Sequence, residues 1–198
     1  MSTSKVELFN IALGRVGEGY VIQHPDEDSQ PARECRRFYD MSRKQTLRAF
    51  DWPWATRAVN GTRLADGPLG AKWSYFYAIP SESLKVIGVY NQYGRKVPFQ
   101  ITSMQNDIGT FKTVATNEET PILYYVVNVE DASQYDPLFA DALAWRLASE
   151  LAPVRTENNN MRSDALQMWS GVIEQAKSSN LSESYAYPEP SPSMIARQ

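Results

Sequence analysis

The sequence predicts a mixed α+β protein: an antiparallel helical bundle with an inserted antiparallel β-sheet domain and an extended C-terminal tail. Three observations predict it. Amphipathic helical patterns occupy both ends of the chain, and an aromatic-rich, β-prone stretch broken by turn residues lies between them. After Leu181 the composition shifts to Ser, Tyr and Pro, with Pro188, Pro190 and Pro192 at alternate positions, which disfavours a packed ending. The expected division is residues 1–54 and 132–182 for the bundle, 55–131 for the inserted domain and 183–198 for the tail.

The first helix is expected from Lys5, because Ser4 and Glu7 have the spacing of a capping box. At about 100° per residue, Val6, Phe9, Ala12, Leu13 and Val16 share one face, Glu7, Asn10 and Gly14 lie opposite, and Gly17 suits a left-handed terminator. A loop follows from Glu18 to Asp28. The second helix begins near Ser29, with Asp28 or Ser29 as cap and Pro31 in its first turn, and runs to about Phe50. Cys35, Phe38, Tyr39, Ala49 and Phe50 fall on one side of it. Arg33, Arg36, Arg37, Arg43, Lys44 and Arg48 are expected to project from the other. Trp52-Pro53-Trp54 ends the helix, since a residue before proline avoids helical geometry.

From Ala55 to about Val129 the chain reads as β structure. Trp73, Tyr75 and Tyr77 alternate, and Leu84–Tyr90, Val97–Ile101 and Ile122–Val129 are β-prone runs. Asn60-Gly61, Asp66-Gly67-Pro68, Tyr93-Gly94 and the stretch from Asn117 to Pro121 supply turns, so short antiparallel connections are favoured. Asp136-Pro137 then reads as a cap and first-turn proline, opening a third helix to Ala152, before Pro153. Phe139, Leu143, Leu147 and Leu151 flank Ala140, Ala144 and Ala148, a stripe that permits close helix packing. Leu138 and Trp145 lie off this stripe as a second apolar patch. A last helix, from about Asn158 to Ser178, groups Met161, Ala165, Met168, Trp169, Val172 and Ala176 on one face.

Composition and motifs narrow the function. The 198 residues are 42% apolar and 22% charged, as in ordinary folded proteins. No run reaches the roughly 18 apolar residues of a membrane span, and Met1-Ser2-Thr3-Ser4-Lys5 has no apolar signal core, so synthesis in the cytoplasm and no membrane partner are expected. The single cysteine, Cys35, lies among apolar neighbours and reads as core. One histidine, His24, would have to serve any Cys-His pair or Ser-His-Asp triad, and no G-x-S-x-G elbow surrounds a serine. Asp26, Glu27 and Asp28 lack the ligand spacing of a calcium loop, and neither phosphate-binding glycine motif is present. The expectation is a non-enzyme with no metal and no cofactor.

What remains are surfaces. The basic face of the second helix, with Arg33, Arg37, Lys44 and Arg48 as candidate contacts, reads as a solvated face, a contact with an acidic subunit or a DNA-facing surface. The net charge of -3 favours a protein neighbour. Trp52, Trp54, Trp73, Tyr75, Phe76 and Tyr77 include both faces of a strand, so some are expected to remain exposed as contact surface. Leu138 and Trp145 join them as candidate contacts.

The run Leu8-Phe9-Asn10-Ile11-Ala12-Leu13-Gly14-Arg15-Val16-Gly17, then Ala32 to Cys35, Tyr39-Asp40 with Arg43, Trp52-Pro53-Trp54-Ala55, Tyr75-Phe76-Tyr77-Ala78-Ile79-Pro80 and Asp136-Pro137-Leu138-Phe139 resembles the tail tubular protein A family of tailed bacteriophages. Order and spacing carry the likeness, which covers most of the chain up to Ala152. The resemblance implies a head-to-tail adaptor of the virion, a homo-oligomeric ring of roughly twelve copies beneath the portal protein, meeting the downstream tail or nozzle protein. Genomic DNA would pass through its lumen without specific binding. A closed ring repeats one heterologous interface, so each chain needs two complementary surfaces besides its core. In the tail, Tyr185, Tyr187, Met194 and Ile195 are candidate anchors on the portal or an adjacent protomer, against the plain alternative of a frayed end. From another class, the alternative function is a small DNA-binding protein using the basic helix 33–48.

Overall fold

A computed structural model of the chain describes residues 3–106, 109–156 and 159–183. Among them the protein is mixed α+β, with four α-helices and two four-stranded antiparallel sheets. The helices are α1 (Lys5–Arg15), α2 (Gln30–Ala49), α3 (Pro137–Arg155) and α4 (Asn159–Glu183), and all eight strands fall between α2 and α3.

The helix starts are set by local hydrogen bonding. Ser4 Oγ accepts from the Glu7 amide at 3.1 Å and the Glu7 carboxylate accepts from the Ser4 amide at 3.4 Å, closing the capping box of α1. Beyond its end, Gly17 has φ 77°, a conformation that costs glycine nothing. Ser29, rather than Asp28, caps α2 by accepting from the Ala32 amide at 3.3 Å. Asp136 caps α3, accepting from the Leu138 amide at 2.8 Å, with Pro137 in the first turn.

Two helix ends differ from expectation. α3 passes through Pro153 to Arg155. The proline sits in the last turn, where it removes one amide donor, and Thr156 closes the end with its amide on the Ala152 carbonyl at 3.0 Å. α4 continues past Ser178 to Glu183.

The strands are β1 (Thr56–Asn60), β2 (Arg63–Asp66), β3 (Tyr75–Ala78), β4 (Ser83–Tyr90), β5 (Lys96–Val97), β6 (Phe99–Asn106), β7 (Gly109–Thr116) and β8 (Ile122–Val127). One sheet has the order β1-β8-β4-β5 and the other β2-β3-β7-β6. The chain changes sheet four times, between β1 and β2 at Asn60-Gly61-Thr62, between β3 and β4, between β5 and β6 at Pro98, and between β7 and β8. Pro98 splits the expected run Val97–Ile101 into β5 and β6 because proline has no amide to give the ladder. Gly67 is required after β2: a Cβ there would lie 2.0 Å from the Trp73 carbonyl oxygen.

Two apolar clusters hold these parts together. Tyr77, Val89, Val114 and Leu123, drawn from both sheets, form the smaller one. The larger one joins the helices to the first sheet through Val126 of β8, and to Val129 just beyond that strand, with Leu84 and Ile87 packed at its margin. α3 is its centre: α1 and α2 both lie against α3 and meet each other where the Phe9 ring stands edge-on to Tyr39 at 5.4 Å, and α4 covers the remaining flank of α3. Phe139, Leu143, Leu147 and Leu151 are buried with Ala140, Ala144 and Ala148, as the small-residue stripe requires. On α4, Met168 is 48% exposed rather than buried, because the buried face centres on Ala165, Val172, Ile173 and Ala176 and leaves Met168 at its border.

Candidate functional site

α2 does not present one continuous basic face. Arg43 is 2% exposed and directed into the protein, where it donates to Asn128 Oδ1 at 2.8 Å, to the Val129 carbonyl and to Asp40 at 2.6 Å. Expected on the solvent side, it is instead a structural tie, because it shares the buried face with Tyr39 and Leu47, four residues away in either direction. Arg36 is half-buried and donates to the Pro25 and Glu27 carbonyls at 2.7 and 3.0 Å, fastening the loop before α2.

The four basic contact candidates lie near the surface, each with a neighbour. Arg33 pairs with Asp28, and Lys44 pairs with Asp40 at 2.6 Å. Arg48 donates to the Leu84 carbonyl of β4, and the Arg37 guanidinium lies 5.4 Å from the Phe38 ring. Asp40, held first by Lys44 and then by Arg43, has its pKa below the ordinary aspartate value. Arg33 and Lys44 are thus matched by carboxylates of the same chain, whereas among the described residues Arg37 and Arg48 meet only neutral groups and keep their charge.

Leu138 and Trp145 do not form one free patch. Both are half-buried at the edge of the main core. The Arg15 guanidinium covers Trp145, 4.0 Å from its ring centre, and also donates to the Asp141 carbonyl at 2.9 Å and pairs with the Asp141 carboxylate. Burial lowers the Arg15 pKa from its ordinary value, while the Asp141 contacts oppose that shift. Leu138 instead lines a groove with Phe50, Trp52, Trp54 and the C-terminal part of α4. The remaining candidates, Tyr185, Tyr187, Met194 and Ile195, lie outside the described residues.

The aromatic surplus read from the sequence is largely absorbed inside the molecule. Trp52 is 2% exposed, and its ring meets Phe139 edge-on at 5.2 Å and Phe50 at 5.1 Å. Trp54 contacts Phe139 at 5.1 Å and Tyr135 at 5.8 Å. Tyr77 is buried between the sheets and its hydroxyl donates to the Glu119 carbonyl at 2.7 Å, while Trp73 donates to Gln100 Oε1 at 3.1 Å. Tyr75 and Phe76 are half-buried. The corrected picture places their partners in elements distant in sequence, above all at the start of α3.

Exposed apolar side chains occur elsewhere. Val59 on β1, Leu64 on β2 and Ile101 on β6 are 39%, 42% and 42% exposed, and all three strands are outer strands of their sheets. An outer strand offers unpaired backbone amides and carbonyls as well as side chains, which makes it a ready template for another chain. These residues were not singled out in the sequence. β-Propensity marks them as strand residues, but strand order decides that they sit at a rim.

Among the described residues, neither Cys35 nor His24 has a partner suited to catalysis. Cys35 is fully buried, and burial followed by the charge of Glu34 pushes its thiol up to about 12. His24 is exposed, its Nδ1 accepting from the Asp26 amide at 3.2 Å. Glu27 organises the loop before α2, accepting from Ser29 at 2.6 Å, the Gln23 amide at 2.9 Å and the Tyr20 hydroxyl at 3.0 Å, and these bonds lower its pKa to about 2. Among the described residues no group of His, Cys, Asp and Glu is placed to hold a metal ion, and no described helix is long and apolar enough to cross a membrane.

In comparisons with known proteins, no protein-family model and no curated protein matches the chain.

Proposed function

We propose that this chain is a structural head-to-tail adaptor of a bacteriophage neck. It works without catalysis, as a homo-oligomeric ring of about twelve copies in the virion, between the portal and the downstream tail or nozzle protein. Its finer architecture in this reading is a helical bundle carrying an inserted β domain and an extended C-terminal tail. Genomic DNA passes through the lumen without specific contacts, consistent with the net charge of -3 on each chain.

The observation that carries the reading is the apolar rim: Val59, Leu64 and Ile101 stand exposed on three of the four outer strands. Outer strands in two separate sheets give a chain more than one edge to offer a neighbour, and a closed ring built from one repeated heterologous interface needs two complementary surfaces. A subunit interface of standard size buries about 1,600 Å², more than any one rim residue supplies, so neighbouring loops would take part. Arg33 and Lys44 are paired with carboxylates of the same chain, which lowers the net positive charge of the α2 face and favours this role over DNA recognition.

The test is the mass of the purified protein, alone and mixed with the portal protein of the same virion. The expected result is a ring-sized complex in the mixture, with about twelve copies of this chain. Free chain in both samples would remove the proposal. Duplex binding that weakens steeply with salt would replace it with the DNA-binding reading.

A further inference from the structure

The groove beside the C-terminal part of α4 is built from three separate stretches of chain. Phe50, Trp52 and Trp54 line it from the segment after α2, Asp136 and Leu138 from the start of α3, and Asn180 from α4. It holds about 220 Å³, below the roughly 300–1,000 Å³ of small-molecule sites, so it fits one or two side chains rather than a cofactor. Its lining is mostly aromatic and aliphatic. Asp136 is the one charged residue among the described lining, and its Oδ1 already accepts from the Leu138 amide. The Trp54 indole N–H is buried with no acceptor among the described residues.

The chain supplies an occupant of matching chemistry. α4 is described to Glu183, about 4.5 Å of helix beyond Asn180, and residues 184–198 follow. The first of these, Ser184-Tyr185-Ala186-Tyr187-Pro188, carry no charge, and charge returns only at Glu189. Five extended residues span about 17 Å, ample to turn back from the helix end over the groove. Pro188 favours extended, polyproline II-like backbone, which lowers the cost of ordering the segment. Aromatic-lined grooves are the usual receptors for such segments.

We infer that this groove is the docking site for residues 184–188 of the same chain, with a tyrosine ring against Trp54 and Leu138. The inference does not depend on the adaptor reading, since it concerns the isolated chain.

The test is the indole N–H spectrum of the full chain labelled with 15N, with Trp54 and Trp73 assigned from Trp54→Phe and Trp73→Phe variants. Substituting Tyr187→Ser together with Pro188→Gly leaves every described residue intact. It is expected to move the Trp54 signal and leave that of Trp73, which is bonded to Gln100. The difference must persist on about tenfold dilution, because docking within one chain does not follow mass action. A Trp54 signal unchanged by the tail substitutions would overturn the inference. So would a difference that fades on dilution, which would place the tail on a second copy.

Discussion

Arg43 and Asn128 are joined by a 2.8 Å hydrogen bond that spans 85 positions of sequence and fastens the middle of α2 to the linker after β8. The guanidinium is 2% exposed, and its other bonds go to the Val129 carbonyl and to Asp40, whose side chain is 59% exposed. It is a charge held by neutral acceptors and two surface carboxylates, Asp40 at 2.6 Å and Glu130 at 3.7 Å. Arg43→Met is expected to lower stability by about 2–4 kcal/mol, because the acceptors lose their donor inside the protein. Urea unfolding would measure it, and a loss below about 1 kcal/mol would mean that the tie contributes little.

Phe139 is the hub of the aromatic cluster, with ring centres of Tyr135 at 4.8 Å, Trp54 at 5.1 Å and Trp52 at 5.2 Å. Phe139→Ala is expected to cost about 3–5 kcal/mol, more than an exposed rim residue could. Tryptophan fluorescence during unfolding reads it directly.

Ile101 and Val59 predict the opposite pattern. Ile101→Lys or Val59→Lys is expected to leave monomer stability within about 0.5 kcal/mol, since both side chains already face solvent. The same changes should weaken ring formation with the portal, seen by native mass measurement. Undiminished assembly by both variants would remove the rim from the contact.

Glu27 gives a pH prediction with a definite sign. Its carboxylate is depressed from 4.5 to about 2 by bonds from Ser29, Gln23 and Tyr20. Its stabilising effect is therefore fully present above the unfolded value near 4.5 and is lost as pH falls through about 2. The protection of the Gln23 amide, measured against its intrinsic exchange rate at each pH, should fall across that window. In Glu27→Gln the change should be absent, because the amide side chain does not titrate.

Cys35 is expected to resist thiol reagents in the native protein at neutral pH. It is fully buried and its thiol is pushed up to about 12, so thiolate forms only when the chain opens. The labelling rate should rise with urea in step with unfolding. Prompt labelling without denaturant would contradict the burial.

The features legible in the sequence were those settled within a few residues. Ser4 with Glu7, Ser29 with Pro31 and Asp136 with Pro137 act on amides one turn away, so spacing alone locates the three helix starts. The alanine stripe of α3 was legible for the same reason. Arg43 was misplaced because its basic neighbours suggested a charged face, although the four-residue spacing from Tyr39 and to Leu47 sets it on the buried one. The aromatic surplus was misjudged because Trp52 and Trp54 find Phe139 only after the whole β region intervenes. β7 carries threonines and a lysine among its apolar residues and gave no clear strand pattern. The division into two sheets was hidden because Asn60-Gly61-Thr62 and Pro98 resemble ordinary turns, yet each carries the chain from one layer to the other. Of the candidate site, the α2 and α3 residues could be placed, whereas the rim depends on strand order, which no local spacing encodes.

The central position of α3 has a kinetic consequence. α1 and α2 leave the ribosome first, yet the surface they share arrives only after all eight strands have been translated. At roughly 5–20 residues per second, the nascent chain keeps Leu13 and Leu47 without their α3 partners for several seconds. Chaperone dependence during synthesis should therefore fall sharply once the codons for α3 and α4 have passed.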